Sequence, residues 1–203
     1  MAEKLGSFRG QHPLVLGIPR GAVPMAKIIA GSLGGELDVV LVRKLGAPDQ
    51  PELAIGAVDE TGKVFLSGYA EDVDDVYLER EKQEGLRVLR DRRAQYTPLR
   101  PPIDPRDRVV IVVDDGIATG STITAALRAV RAKSPKTLVA AAAVASAEAE
   151  RAMSQEADAV VCLDVPEDFF AVGQFFGDFS QISDQEVIDT LRSSEAKPLA
   201  AID

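Results

Sequence analysis

The chain has 203 residues, enough for one domain built on a single core, and its 46% hydrophobic and 27% charged residues are close to globular averages. These values exclude wholesale disorder and a fibrous architecture. The formal net charge of −9 argues against generic nucleic-acid binding. With one cysteine, Cys162, and one histidine, His12, the chain has no intrachain disulfide or multi-cysteine metal site and little room for zinc chemistry.

The negative charge is concentrated in the last part of the chain. Residues 145–203 hold 13 acidic and 3 basic side chains, so the first 144 residues are close to neutral. A phosphate-rich ligand therefore meets no general repulsion in the body of the chain. The apolar run 138–145 is too short to span a bilayer, and no apolar stretch follows Met1. We therefore expect no membrane anchor, no signal peptide and a cytoplasmic location.

The first half of the chain alternates short apolar runs with one helical pattern. The run beginning at Leu14 is stopped by Pro19, and the helical spacing after it is closed by Gly34 and Gly35. Residues 59–62 separate two further runs at the spacing of a hairpin. These patterns predict strands over 14–18, 37–42, 53–58 and 63–66, and a helix over 22–33.

The second half alternates strands and helices more regularly. A charged helical stretch, 74–96, is followed by a connector with four prolines, 97–107. Beyond it the patterns predict strands over 109–113, 137–144 and 159–163 and helices over 121–133 and 147–156. Such alternation indicates an α/β fold with a central, mostly parallel sheet covered by helices on both faces. We expect a single domain over 1–203, with a frayed tail at 194–203.

The segment 109–122 carries the clearest chemical signal. Asp114 and Asp115 stand at the carboxyl end of a predicted buried strand, where ligands bind in open α/β sheets. The loop after them leads into a helix and offers backbone N–H groups, hydroxyls and the positive end of the helix dipole to a phosphate. This loop consists of Ala118, Thr119, Gly120, Ser121 and Thr122, without the lysine of a Walker A loop. The carboxylates suit sugar hydroxyls or Mg²⁺, although acidic residues near a helix start are also common without a ligand.

The strand, the acidic pair and the small-residue loop ending in T-G-S-T together resemble the motif of the type I phosphoribosyltransferases, which bind phosphoribosyl pyrophosphate (PRPP). The resemblance implies that Asp114 and Asp115 bind the ribose 2′- and 3′-hydroxyls. It also implies that residues 118–122 bind the 5′-phosphate. Mg²⁺ is the implied cofactor, held indirectly through Asp114 and Asp115. The implied partners are PRPP and a small-molecule acceptor, without nucleic acid or membrane, and the implied assembly is a homodimer.

Two basic segments fall where this family binds the leaving group. Pro19, Arg20 and Gly21 resemble the pyrophosphate-binding loop, and Arg43 and Lys44 resemble the basic pair that opens the family's flexible loop. The alternative for each is an ordinary solvated charge. The resemblance thus implies a catalytic set of Asp114, Asp115, Arg20 and Lys44. No general base is evident, and either Asp114 or Asp115 could serve as one.

The resemblance extends over 14–187, and segments 18–24, 37–48 and 165–181 are similar to a subgroup of stand-alone phosphoribosyltransferases with an unknown acceptor. Compared with that subgroup, a helix ahead of Phe8 is expected to be shortened or absent. Residues 45–68 are expected to form a flexible loop or hairpin, of which 46–62 could close over the site. A hood segment, 164–190, would hold the acceptor through Phe169, Phe170 and Val172. Alternatively, its phenylalanines simply cover the edge of the core.

These features support three functional hypotheses. The first is an Mg²⁺-dependent enzyme that transfers the phosphoribosyl group to a nitrogenous acceptor, such as a nucleobase, and releases pyrophosphate. The second is a non-catalytic sensor of PRPP or nucleotides on the same fold, and the third is an α/β domain with a vestigial site. The helix 80–93, with six basic and three acidic residues, is either a solvated face laced with pairs such as Arg80 with Glu84, or an RNA or partner surface.

Overall fold

The structure is a computed structural model that describes residues 1–50, 53–70, 73–98 and 101–195. The strands in chain order are β1 (Leu14–Gly17), β2 (Glu36–Val39), β3 (Val42–Gly46), β4 (Ala54–Asp59), β5 (Val64–Leu66), β6 (Val109–Ile117), β7 (Thr137–Ala145) and β8 (Ala159–Asp164). The helices are α1 (Ala22–Leu33), α2 (Asp75–Tyr96), α3 (Ser121–Arg131), α4 (Ala147–Glu156) and α5 (Asp184–Glu195). Short 3₁₀ turns lie at Gly6–Phe8, Gly68–Ala70 and Val172–Phe175.

The central sheet has five parallel strands in the order β2-β1-β6-β7-β8. Alternate residues of these strands point to opposite faces and fill two separate core clusters. One cluster joins the sheet to α1, α2 and α5, and the other joins it to α3 and α4. The predicted α/β fold with helices on both faces is therefore confirmed.

A second, smaller sheet is antiparallel, in the order β3-β4-β5. The sequence predicted one strand over 37–42, and this is wrong because the chain leaves the central sheet after Val39 and enters the second sheet at Val42. Val40 and Leu41 between them are both buried, so the apolar run continues through the break without a glycine or proline to mark it. In the β4–β5 turn, Asp59 Oδ1 accepts hydrogen bonds from Thr61 N, Thr61 Oγ1 and Lys63 N at 2.6–3.0 Å.

Two other elements differ from the prediction. β6 continues beyond Val113 to Ile117, because β7 is long enough to pair with it along this extension. The helix α5 falls largely inside the expected hood segment, and its Val187 and Leu191 pack into the core cluster of α1 and α2. The expected tail, 194–203, lies mostly outside the described residues. No helix in the described ranges is long and apolar enough to cross a bilayer.

A buried ion-pair network ties α2 to both sheets. The Arg93 guanidinium donates to Asp38 Oδ1 on β2 at 3.0 Å and to both carboxylate oxygens of Glu60 at 2.7 Å. Asp38, only 1% exposed, also accepts from Ile103 N of the connector at 2.9 Å. Because these charges are buried together, removing one partner would leave the others uncompensated. The network therefore fixes the second sheet and the connector against the central sheet.

Candidate functional site

The loop after β1 meets the last residues of β6 at the carboxyl edge of the central sheet. Gly17 pairs with Val113 in the parallel register, so β1 and β6 reach this edge at the same level. A Cβ atom on Gly21 would overlap the Asp115 carboxylate, and only a hydrogen at this position avoids the collision. The two segments that the sequence predicted to bind pyrophosphate and ribose, 19–21 and 114–115, are thus brought into direct contact. The Pro19–Arg20 peptide bond in the first of these segments is cis.

The two carboxylates of the acidic pair lie half-buried at the end of β6. Asp114 Oδ1 accepts from Asp115 N at 3.0 Å, and Asp115 Oδ1 accepts from Gly116 N at 2.7 Å, so each is held by the backbone that follows it. Burial raises the pKa of Asp114 well above its ordinary value, and the neighbouring Asp115 carboxylate raises it further. A positive charge or hydroxyl donors would therefore stabilise the ionised pair.

The loop 118–122 has the form of an anion cradle. Gly120 precedes α3 with a φ of +77°, a left-handed conformation that favours glycine. Thr119 Oγ1 and Ser121 Oγ lie 3.3 Å apart on its exposed side. The first turn of α3 leaves backbone N–H groups without intrahelical partners, pointing out of the helix end.

Ser146, which the sequence motifs did not single out, fixes this cradle from behind. Its hydroxyl donates to the Ala118 carbonyl at 2.6 Å and accepts from Ala149 N at 3.0 Å, while its backbone N–H donates to the Ile117 carbonyl at 2.9 Å. The hydroxyl thus caps α4 and holds the loop after β6 at once. A serine directly before a predicted helix is a capping signal, so its capping role was visible in the sequence, whereas its contact with the loop was not.

Arg20 lies beside the carboxylate of Asp184, which the sequence analysis did not predict to be near the site. Its Nη1 lies 3.6 Å from Asp184 Oδ2 at the start of α5, and both side chains are partly exposed. Asp184 Oδ1 accepts a short hydrogen bond from the hydroxyl of the buried Tyr96. Burial, followed by this hydrogen bond, raises the pKa of the Tyr96 phenol. Tyr96 and Asp184 are 88 positions apart in the sequence, so no local sequence pattern predicts their hydrogen bond.

The structure places Arg43 and Lys44 on opposite faces of β3. Arg43 Cδ and Leu45 Cδ2 lie 3.5 and 3.8 Å from the Cβ position of Gly85, so this face packs on α2. Strand alternation puts Lys44 on the other face with Val42, which packs against the core cluster containing Ile123 of α3. Of the two basic residues, Lys44 is thus the one on the side of the cradle helix.

Of the three residues predicted to contact an acceptor, Val172 lies against the site. A Cβ on Gly116, the residue after the acidic pair, would overlap Val172 Cγ1. Phe169 instead packs on Phe175, with ring centroids 5.6 Å apart, and Phe170 is 86% exposed. The Gln174 side chain ties the turn together, accepting from the N–H groups of residues 170 and 171 and donating to the carbonyl of residue 168 at 3.0–3.3 Å.

Asp114 and Asp115 are the side chains at this site that could serve as metal ligands. In the described part of the chain, no group of three or more His, Cys, Asp and Glu side chains is arranged to hold a metal ion. Mg²⁺ commonly takes only one or two carboxylates, with its remaining ligands from water and substrate phosphates. Two adjacent carboxylates that repel each other, one with a raised pKa, fit that mode of binding.

The sequence comparisons agree with this geometry. The sequence model of a family described as "Phosphoribosyl transferase domain" matches residues 1–178. The chain belongs to this family. The match confirms the resemblance to type I phosphoribosyltransferases that the motif at 109–122 indicated.

The similar proteins include two from Mycobacterium tuberculosis, strains CDC 1551 and H37Rv, provisionally named phosphoribosyl transferases. Each is 39% identical over 191 residues, which is 93% of this chain and 43% of the relative. The chain therefore spans less than half the length of these curated relatives. The crystal structure of the protein TT1426 from Thermus thermophilus is 46% identical, with a TM-score of 0.85, over 95% of this chain and 93% of that one.

The contact between Gly21 and Asp115 gives a direct test of the site's packing. Gly21→Ala introduces a methyl group into the Asp115 carboxylate, so we expect a loss of about 1–3 kcal/mol in the free energy of unfolding. Gly31→Ala adds the same methyl group within α1, where nothing lies within 4 Å. It should stabilise the protein by roughly 0.5–1 kcal/mol, because alanine favours a helix interior. Urea unfolding of both variants measures the difference in stability, and equal stability would contradict the contact between Gly21 and Asp115.

The raised pKa of Asp114 predicts how the free energy of unfolding depends on pH. Because the pKa of Asp114 is higher in the folded than in the unfolded state, stability is lost as pH rises from about 4 through the folded-state value. Asp114→Asn removes this loss and should raise the free energy of unfolding at pH 7–8, on the order of 1 kcal/mol.

The gain should shrink as pH falls toward 4, and unfolding curves at several pH values measure it. Asp168→Asn, which removes the same charge from an exposed loop, serves as the control. A gain for Asp114→Asn that does not depend on pH, or that Asp168→Asn reproduces, would contradict the assignment.

Proposed function

We propose that this member of the phosphoribosyl transferase family binds PRPP and transfers its 5-phosphoribosyl group to a nitrogenous acceptor, with release of pyrophosphate. The observation that carries the proposal is the contact of residues 19–21 with the acidic pair, directly beside the cradle 118–122. One edge of the sheet thus offers places for a pyrophosphate, a ribose and a 5′-phosphate in the order in which PRPP carries them.

The sugar and its phosphate would be held by the end of β6 and the loop after it. The Asp114 and Asp115 carboxylates accept hydrogen bonds from the ribose 2′- and 3′-hydroxyls. The backbone N–H groups and hydroxyls of residues 118–122 donate to the 5′-phosphate. Ser146 holds this loop before the ligand arrives, so little ordering has to accompany binding.

In the reaction, the bond from ribose C1 to the pyrophosphate oxygen breaks and a bond from C1 to the acceptor nitrogen forms. Positive charge develops on the sugar and negative charge on the leaving group. Arg20, at the loop after β1, and Lys44, on the face of β3 toward α3, would donate to the pyrophosphate oxygens. Mg²⁺, when bound with the substrate through Asp114 and Asp115, supplies further neutralisation of the phosphate charge.

The acceptor would enter beside the 3₁₀ turn at Val172–Phe175, because Val172 is the predicted acceptor contact that packs on the end of β6 next to the acidic pair. Phe170, whose ring is exposed to solvent, would cover an incoming ring. The proton that the acceptor nitrogen loses would pass to a carboxylate of the acidic pair, and either Asp114 or Asp115 is a candidate for this general base.

Titration calorimetry with Mg-PRPP tests the proposal. We expect saturable binding that Asp114→Asn with Asp115→Asn weakens at least about 100-fold, because two hydrogen bonds from the ribose to charged groups are lost. Asp168→Asn should bind as the unchanged protein does, and circular dichroism confirms that each variant is folded.

A screen for pyrophosphate release over nucleobases then separates the hypotheses. Release with one base supports transfer, whereas binding without release for any base supports a non-catalytic sensor. Failure of Mg-PRPP to bind the unchanged protein would contradict both and leave an α/β domain with a vestigial site.

A further inference from the structure

A second cleft lies between α2, the β4–β5 turn and the C-terminal end of α3. It is open to solvent and has a volume of about 590 Å³, within the range of small-molecule sites. We call it the basic cleft, and define it by the six lining residues that matter to its chemistry: Glu60, Arg90, Arg93, Pro98, Pro102 and Lys133.

The basic cleft is separate from the transfer site. Lys133 lies just beyond the last residue of α3, whereas the cradle 118–122 lies at the first. An α-helix of 11 residues is about 16 Å long, so the helix alone sets the two sites well apart. None of the residues proposed to bind PRPP lines the cleft in the part of the chain that the structure describes.

The pairing of charges along α2 explains why this cleft is basic. Lys82 and Arg87 form pairs with Glu79, Glu84 and Asp91 of the same helix at 2.8–3.3 Å. Arg80 contacts Glu81 at 3.8 Å, rather than the expected Glu84. Three of the six basic side chains of 80–93 are therefore paired within the helix, as the solvated-face interpretation of the sequence predicted.

Arg90 and Lys133 are different. Arg93, at the back of the cleft, is neutralised by Glu60 and Asp38. Within residues 1–50, 53–70, 73–98 and 101–195, the side chains of Arg90 and Lys133 have no hydrogen-bond or ion-pair partner. The lining thus carries an excess of positive charge in a protein whose net charge is −9.

We propose that the basic cleft binds a small phosphate-bearing anion, with Arg90 and Lys133 donating to the phosphate from its two sides. Two cations suit a phosphate dianion, and charge-assisted hydrogen bonds of this kind are roughly twice as strong as neutral ones. Pro98 and Pro102 provide an apolar wall without N–H groups, against which the remainder of an organic phosphate can pack. The ligand is either inorganic phosphate or a nucleoside monophosphate.

Nuclear magnetic resonance tests the proposal, since the amides of a 21.6 kDa chain report on both sites at once. The ¹⁵N-labelled protein is titrated separately with inorganic phosphate and with adenosine monophosphate at low salt. We expect saturable shifts at residues 90–97 and 133, with a dissociation constant of their own, distinct from any shifts at 118–122. If inorganic phosphate and adenosine monophosphate bind with equal dissociation constants, the ligand is phosphate. If the nucleotide binds more tightly, the ligand is an organic phosphate.

Two double variants complete the test. Arg90→Gln with Lys133→Gln should weaken binding in the basic cleft about tenfold or more and leave the shifts at 118–122 unchanged. Arg87→Gln with Lys136→Gln removes the same charge outside the cleft and should change the affinity less than about twofold. The proposal is overturned if neither probe produces saturable shifts in the cleft, or if both double variants lose affinity equally. It is also overturned if a single-stranded RNA binds along the exposed face of α2 in place of both probes.

Discussion

The close approach of Gly21 to Asp115 is the constraint on which the site depends. It requires two parallel strands in matched register, a residue without a side chain after one of them and a carboxylate near the end of the other. Once these conditions are met, the loop 19–21, the acidic pair and the cradle before α3 lie along one edge of the sheet. Ser146 and the Val172 turn then brace this edge from α4 and from the segment after β8.

The same edge of the sheet carries charges that the protein itself does not balance. The carboxylates of Asp114 and Asp115 stand together, and burial and mutual repulsion raise the pKa of Asp114. Arg20, the cation that we propose binds the leaving group, is directed toward Asp184 in this structure. Hydroxyl donors and a cation would stabilise the acidic pair, and an anion would stabilise Arg20. Charges that need a ligand for their stabilisation are expected in a binding site rather than in a structural core.

Much of this could be predicted from the sequence, because local patterns record it. The strand before Asp114, the glycine-containing cradle and the alternation of strands and helices are all local, and they predicted the α/β fold. The break between β2 and β3 was missed because Val40 and Leu41 are buried outside a strand, which leaves the apolar run unbroken. The contacts of Asp184 and Arg93 were missed for another reason: their partners are distant in sequence, and only the packing of α2 and α5 on the sheet brings them together.

Binding of the ribose 5-phosphate part of PRPP by residues 116–122, the end of β6 and the cradle, is the step on which the proposed function rests. Hydrogen–deuterium exchange of the backbone amides, compared with and without Mg-PRPP, measures it at the loop itself. We expect slower exchange at residues 116–122 when Mg-PRPP is bound, and the same protection with ribose 5-phosphate at higher concentration, since that part of the ligand is shared. Binding of Mg-PRPP with unchanged exchange at 116–122 would place the ligand elsewhere and contradict the proposed function.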